Sequence, residues 1–179
     1  MAMIGPFFEA LHVRSNGLER HSGLITAGGV TRPCALGRSG LTHRKREGDG
    51  ATPTGEFALR QLYFRPDRRF IPRTGLKSTP ISPDLGWCDD AASRHYNRPV
   101  RLPFAGSHEK MWRDDSLYDL VIVIGHNDDP TPISPLGSAI FLHLARPGFT
   151  PTEGCVALRR GDLTRLLPRI GPATRIVIG

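Results

Sequence analysis

A histidine closing one apolar run and a cysteine opening the next are the residues of this sequence best suited to covalent chemistry. Gly137-Ser138-Ala139-Ile140-Phe141-Leu142-His143 is followed, after eleven intervening residues, by Cys155 within Thr152-Glu153-Gly154-Cys155-Val156-Ala157-Leu158. Two neighbouring strands would bring the pair within hydrogen-bond reach. An imidazole beside a thiol favours thiolate and imidazolium, which makes the cysteine nucleophilic near neutral pH. Gly154 lets backbone approach closely, and the N–H groups of Gly154 and Cys155 could stabilise an oxyanion. One cysteine and one histidine alone leave the inert reading open, because buried structural cysteines are common. His126, His143 and Cys155 are also metal-ligand types. The chain has no close pair such as Cys-x-x-Cys or His-x-x-x-His, so no metal is expected.

The elements that must position these groups read as short strands. Ala10 to Arg14 and Gly23 to Ala27 flank a Ser15-Asn16-Gly17 turn, and Glu56 to Tyr63 forms a third strand. Asp119 to Ile124 is an uninterrupted apolar, β-branched run after its first residue, expected of a strand covered on both faces. Ser138 to Leu144, Gly154 to Leu158 and Arg175 to Ile178 complete the set, and Asp162 would cap a short helix running to about Leu167, limited by Pro168. Loops are expected over Thr42 to Gly50, Arg65 to Leu85 and Asn127 to Gly137. The sum is one mostly β domain over residues 1–179, a sandwich or barrel-like sheet with one or two short helices.

Composition agrees. Of 179 residues, 20 are Gly and 16 Pro, too many helix breakers for a bundle. No run approaches the roughly 20 apolar residues of a membrane span. The segment Met1 to Glu9 lacks the basic start, apolar stretch and small-residue site of a secretory signal. Net charge is +7, which suits a polyanionic or carboxylate-rich partner as well as a merely solvated basic surface. Three cysteines, Cys34, Cys88 and Cys155, cannot all pair within one chain. Cys34 and Cys88 could join in an oxidising compartment, but buried free thiols are the default.

Ser138 to Leu158 resembles the catalytic region of YkuD-type L,D-transpeptidases, with its His followed by a Ser/Thr-His-Gly-Cys block. Upstream, Cys34 to Arg38 followed by Gly48-Asp49-Gly50-Ala51-Thr52-Pro53-Thr54-Gly55-Glu56-Phe57 is similar to that family's Gly-Asp-(x)-Thr-Pro-Thr-Gly-x-Phe block. The resemblance runs over residues 28–179. It departs from the common pattern in three places: Glu153 stands where His usually precedes Gly-Cys, Ala157 stands where Arg or Asn is usual, and the His143–Cys155 spacing is short. These mark a distinct branch and leave donor and acceptor specificity open.

The resemblance implies a YkuD fold and a cofactor-free enzyme of the cell envelope, although no signal is visible. Cys155 would attack the third-residue carbonyl of a peptidoglycan tetrapeptide stem and expel D-alanine. His143, oriented by a backbone carbonyl, would serve as acid and base. An amine resolves the thioester into a crosslink; water, or exchange with a D-amino acid, gives the alternative outcomes. Carbapenems would acylate the same thiol. Thr152, Glu153 and Gly154 are the oxyanion or substrate-binding candidates beside the nucleophile.

His126, Tyr118 and Arg113 are further cleft candidates, the last for a substrate carboxylate. Trp87 to Asp90, Tyr96-Asn97 and Trp112 to Tyr118 would form either a lid over the thiol or aromatic packing under a long loop. The run His43-Arg44-Lys45-Arg46 reads as a solvated turn; it carries no nucleic-acid-binding signature, so no nucleic-acid partner is expected. A non-catalytic basic module binding nucleic acid or another anionic polymer is the remaining alternative.

Overall fold

The computed structural model describes residues 5–68 and 72–179; Met1 to Ile4 of the N-terminal segment and residues 69–71 of the Arg65–Leu85 loop lie outside the described residues. Fourteen strands follow in chain order: β1 (Ala10–Ser15), β2 (Ser22–Ala27), β3 (Val30–Ala35), β4 (Leu41–Thr42), β5 (Thr52–Pro53), β6 (Gly55–Phe64), β7 (Ser78–Pro80), β8 (Leu85–Cys88), β9 (Arg98–Arg101), β10 (His108–Lys110), β11 (Leu120–Ile124), β12 (Phe141–Leu144), β13 (Val156–Leu158) and β14 (Arg175–Ile178). One helix, α1 (Arg160–Leu166), lies between β13 and β14.

Eight strands close a mixed barrel in the order β11-β12-β13-β3-β2-β1-β14-β6, with β6 returning to β11. Closure is possible because β6 is ten residues long. Its first half pairs with β14 and its second half with β11 on the other edge, where β7 then takes the edge that β14 vacates. Full closure leaves no free edges in the barrel wall. Two of the pairings among the eight barrel strands are parallel, β1 with β14 and β12 with β13. A separate three-stranded sheet, β10-β8-β9, covers part of the barrel's outside.

Strand alternation sorts the wall residues into two clusters. Leu120, Ile122, Ile124, Leu142, Leu144, Val156 and Leu158 point inward, join Leu11, Ile25 and Ile176, and are plugged by Leu163 and Leu166 of α1. Val121, Val123, Phe141 and Cys155 point outward under Trp87, Met111 and Tyr118. All five residues of β11 are buried, as its continuous apolar run predicts.

Several expectations need correction. Ser138 to Ile140 is not strand: Ala139 takes a φ of 52°, which breaks the extended path before Phe141. Pro33 lies in β3 opposite Leu24, so the punctuation that hid this strand is tolerated in it. The link from β1 to β2 is a wider loop, with the Asn16 side chain bonded to Ser22 Oγ at 2.6 Å. The helix begins at Arg160, so Asp162 sits inside its first turn and pairs with Arg32 at 3.3 Å instead of capping it. The expected 65–85 loop contains β7, and the region from Trp87 to Lys110 contains the small sheet. Within the charged turn 42–50, His43, Arg44 and Arg46 are exposed, whereas Lys45 is buried and paired with Asp49.

Candidate active site

The parallel ladder of β12 and β13 places the two reactive side chains. Leu142 stands beside Val156 and His143 beside Ala157. Cys155, two residues before Ala157, therefore lies on the same outer face as His143 and Phe141. The small Ala157 side chain keeps the position beside the imidazole open. A parallel pair needs a long crossover, and residues 145–155 supply it. The crossover is pinned midway by Thr152, whose N–H donates to Leu36 O at 2.9 Å and whose carbonyl accepts from Arg38 N at 2.8 Å.

Both groups open on one cleft of about 620 Å³ that also touches Glu109, Tyr118, Arg146 and Glu153. His143 Nδ1 lies 2.9 Å from the Leu144 carbonyl. A carbonyl can only accept, so Nδ1 carries the hydrogen and Nε2 offers its lone pair. Tyr118 stacks edge-on against the imidazole, 5.3 Å between centroids, and fixes its plane. The Cys155 thiol donates to Ala139 O at 3.3 Å and its sulfur accepts from Phe141 N at 3.4 Å. The thiol hydrogen is thus directed at a carbonyl, not at the imidazole as the spacing suggests.

Burial also sets the charge state. It pushes the Cys155 thiol up to about 12, with the Glu109 carboxylate adding to the effect and the Phe141 N–H and Lys45 opposing it. It pushes His143 down to about 4, against the pull of the Leu144 carbonyl. Burial thus disfavours both the isolated thiolate and the isolated imidazolium.

The segment leading to Phe141 is held by a buried polar hub. Asn97 Oδ1 accepts from Trp87 Nε1 and from Ala139 N, each at 3.0 Å, and its Nδ2 donates to the carbonyls of His126 and Asn127. Glu47 accepts hydrogen bonds from Tyr96 and from Ser138, and the Tyr96 hydroxyl accepts from Gly137 N. Through Ala139 these groups fix the carbonyl on which the thiol rests. The Trp87, Tyr96 and Asn97 region thus braces the site as well as covering it.

The remaining candidates divide. Tyr118 and Arg113 line the cleft, but the Arg113 guanidinium makes two hydrogen bonds to Asp115 at 2.9 and 2.8 Å. Thr152 Oγ1 donates to Cys155 O at 2.6 Å and accepts from Gly154 N at 3.2 Å. Thr152 therefore shapes the nucleophile's turn. The Gly154 N–H is engaged there, leaving the Cys155 N–H as the oxyanion donor this turn can present. Gly154 itself has a φ of 137°, and a Cβ on it would come within 2.8 Å of Ala51 O. Glu153 is exposed and paired with Arg38. His126 is a correction: its Nε2 lies 2.8 Å from Leu136 O and its ring packs on Phe57, away from the cleft, so it braces the 127–137 loop. Cys34 and Cys88 are buried free thiols. Glu109 joins the cleft without any signal in the sequence, since it is brought there by the pairing of β10 with β8, whereas Arg146 comes with the end of β12. Among the described residues, no cluster of three or more His, Cys, Asp or Glu could hold a metal, and no helix is long and apolar enough to cross a membrane.

Residues 19–178 match the family described as YkuD, the L,D-transpeptidase catalytic domain. No curated protein matches the chain. Among solved structures, the chain is similar to a crystal structure of an L,D-transpeptidase from Mycobacterium tuberculosis H37Rv. The likeness has 11% sequence identity and a TM-score of 0.44, and covers 98% of this chain and 58% of that one. The chain thus spans less than two thirds of the length of the protein it matches.

Proposed function

The chain belongs to the YkuD L,D-transpeptidase catalytic-domain family, and from that premise we propose that it is a cysteine acyltransferase that crosslinks peptidoglycan stem peptides in the cell envelope. The observation that carries the reading is the convergence of Cys155 Sγ and the Nε2 side of His143 on one cleft, with Nδ1 already committed to the Leu144 carbonyl.

The chemistry follows from that tautomer. His143 Nε2 takes the thiol proton as Sγ attacks the carbonyl carbon of the third stem residue. Displacing a neutral thiol's proton only when substrate arrives suits a site whose burial disfavours both isolated charges, because thiolate and imidazolium then form together and offset each other. The tetrahedral oxyanion would face the Cys155 N–H. Collapse expels the amine of D-alanine, which leaves with the proton from Nε2, and a thioester remains on Cys155. The amine of a second stem then attacks that carbonyl, giving its proton to Nε2. The C–S bond breaks, and the sulfur recovers the proton.

Incubation of the reduced protein with tetrapeptide muropeptides, followed by mass spectrometry, tests this. An adduct on Cys155 and crosslinked dimers are expected. Absence of both would overturn the reading, whereas released D-alanine without dimers would identify a hydrolase using the same site.

A further inference from the structure

Glu109 is a charged group of the cleft that the mechanism above leaves unused. On β10 it stands directly opposite Trp87 of β8, and opposed residues of antiparallel strands share a face. That face is pressed onto the barrel, because Trp87 packs edge-on against Phe141 at 5.1 Å. The carboxyl therefore enters the cleft from the wall facing the strands of His143 and Cys155. One oxygen, Oε2, accepts from the Tyr118 hydroxyl. Oε1 has no partner among the described residues.

The two arginines that share the cleft, Arg113 and Arg146, both turn to Asp115. Asp89, two positions beyond Trp87 and so on the same face of the small sheet, brings a second carboxylate, and its Oδ1 is buried without a partner. Arg113 acts on Glu109 from a distance but is bound to Asp115. Two carboxylates on one face, one of them open to the nucleophile's cleft, make an incomplete ion pair. A primary ammonium would complete it.

We propose that Glu109 seats the acceptor: its Oε1 receives the ammonium of a diamino-acid side chain from the second stem and takes that group's first proton. The inference rests on the transpeptidase reading. It fills a gap there, since an ammonium has no lone pair and must lose a proton before it can attack. The step is R–NH3+ with the Glu109 carboxylate giving R–NH2 and the neutral acid. The amine's lone pair then forms the C–N bond, and its second proton passes to His143 Nε2. The sulfur leaves with the C–S electron pair and takes that proton, while Glu109 returns its own to solvent. Burial holds the Glu109 carboxyl above the ordinary carboxylate range, with the Tyr118 hydrogen bond opposing and Asp89 adding to it. A more basic carboxylate makes the transfer from an ammonium less uphill.

The test uses the full chain with a tetrapeptide donor and a tripeptide acceptor bearing a side-chain amine. Glu109→Gln keeps the shape and the Tyr118 contact. Because it removes a charge that raises the Cys155 thiol, acylation should be at least as fast as in the parent, while the acceptor KM rises roughly 10- to 100-fold and hydrolysed peptide replaces dimer. Equal acceptor KM, or acylation and aminolysis falling by one common factor, would overturn the proposal. A second measurement needs neither turnover nor a Glu109 variant. The Cys155→Ala protein should bind the free-amine tripeptide at least about tenfold more tightly than its side-chain N-acetylated form. Equal affinity would overturn the cation seat even if the parent protein crosslinks. Preferential binding without any acyl-enzyme in the parent protein would sink the transpeptidase reading and leave the seat standing.

Discussion

The two faces of the barrel wall are built from alternate residues of the same strands, and each encloses a thiol. Inside, Cys34 sits among Leu11, Ile25, Leu36 and Leu142. Outside, Cys155 sits among Trp87, Tyr118, Val123 and Phe141. Burial pushes both thiols up to about 12, so desolvation does not distinguish Cys34 from the proposed nucleophile Cys155. The difference lies in neighbours. The inner face is aliphatic and offers no base, whereas the outer face offers an imidazole with a fixed tautomer, a backbone donor, a carbonyl acceptor and an open cleft. What separates the two thiols is the face of the wall that each points to.

The sharpest break between the faces comes from exchanging the nucleophile. Cys155→Ala should abolish acyl-enzyme and dimers, leaving less than about a thousandth of the parent rate, while Cys34→Ala should leave acylation within about twofold; retained turnover in the first variant would refute the assignment. His143→Gln should cost about 100- to 10,000-fold in acylation, read by the rate of the mass shift on Cys155.

Substitution on the inner face should show the reverse pattern. Leu142→Ala, one residue from His143 but facing inward and fully buried, should cost about 2–5 kcal/mol in a denaturant titration. The surviving folded fraction should keep its acylation rate. Asn97→Ala lies between these extremes. It leaves Trp87 Nε1 and Ala139 N–H unpaired, so about 1–3 kcal/mol of stability should be lost together with some activity.

The last contrast is in pH. His143 is lowered from 6.5 to about 4, so the unfolded chain binds the proton first. Its contribution is present above pH 6.5 and is lost as pH falls toward 4. Cys34, raised from 9.0 to about 12, gives the opposite slope, with stability lost as pH rises from 9 to 12. Thermal melts should therefore lose part of the acid slope in His143→Phe and part of the alkaline slope in Cys34→Ala. Unchanged slopes would contradict the burial of those groups.

What could be read from the chain follows from where its signals are local. The Leu120–Ile124 run declares a strand covered on both sides by residue type alone. Cys155 and His143 announce themselves by chemistry and by the blocks around them. Asn97 and Glu109 do not. Asn97 works because its amide bridges Trp87, Ala139 and the 126–127 turn, and Glu109 works because β10 pairs with β8 opposite Trp87. Neither partner set is visible at any fixed spacing. Ser138 to Ile140 misleads for the same reason: an apolar stretch that continues into a strand is bent out of it by the Asn97 hydrogen bond and by Ala139 at positive φ.

Lys45 lies buried against Asp49, and only two other lysines, Lys77 and Lys110, occur in the chain, both exposed. The rest of the basic surplus is arginine, whose guanidinium stays protonated and is not an acyl acceptor at neutral pH. A protein acting as proposed above would carry a thioester that waits for an amine, and would risk aminolysis by its own side chains. Sequestering one of three lysine amines in an ion pair, and making most of the remaining positive charge from arginine, would leave such a thioester few internal competitors.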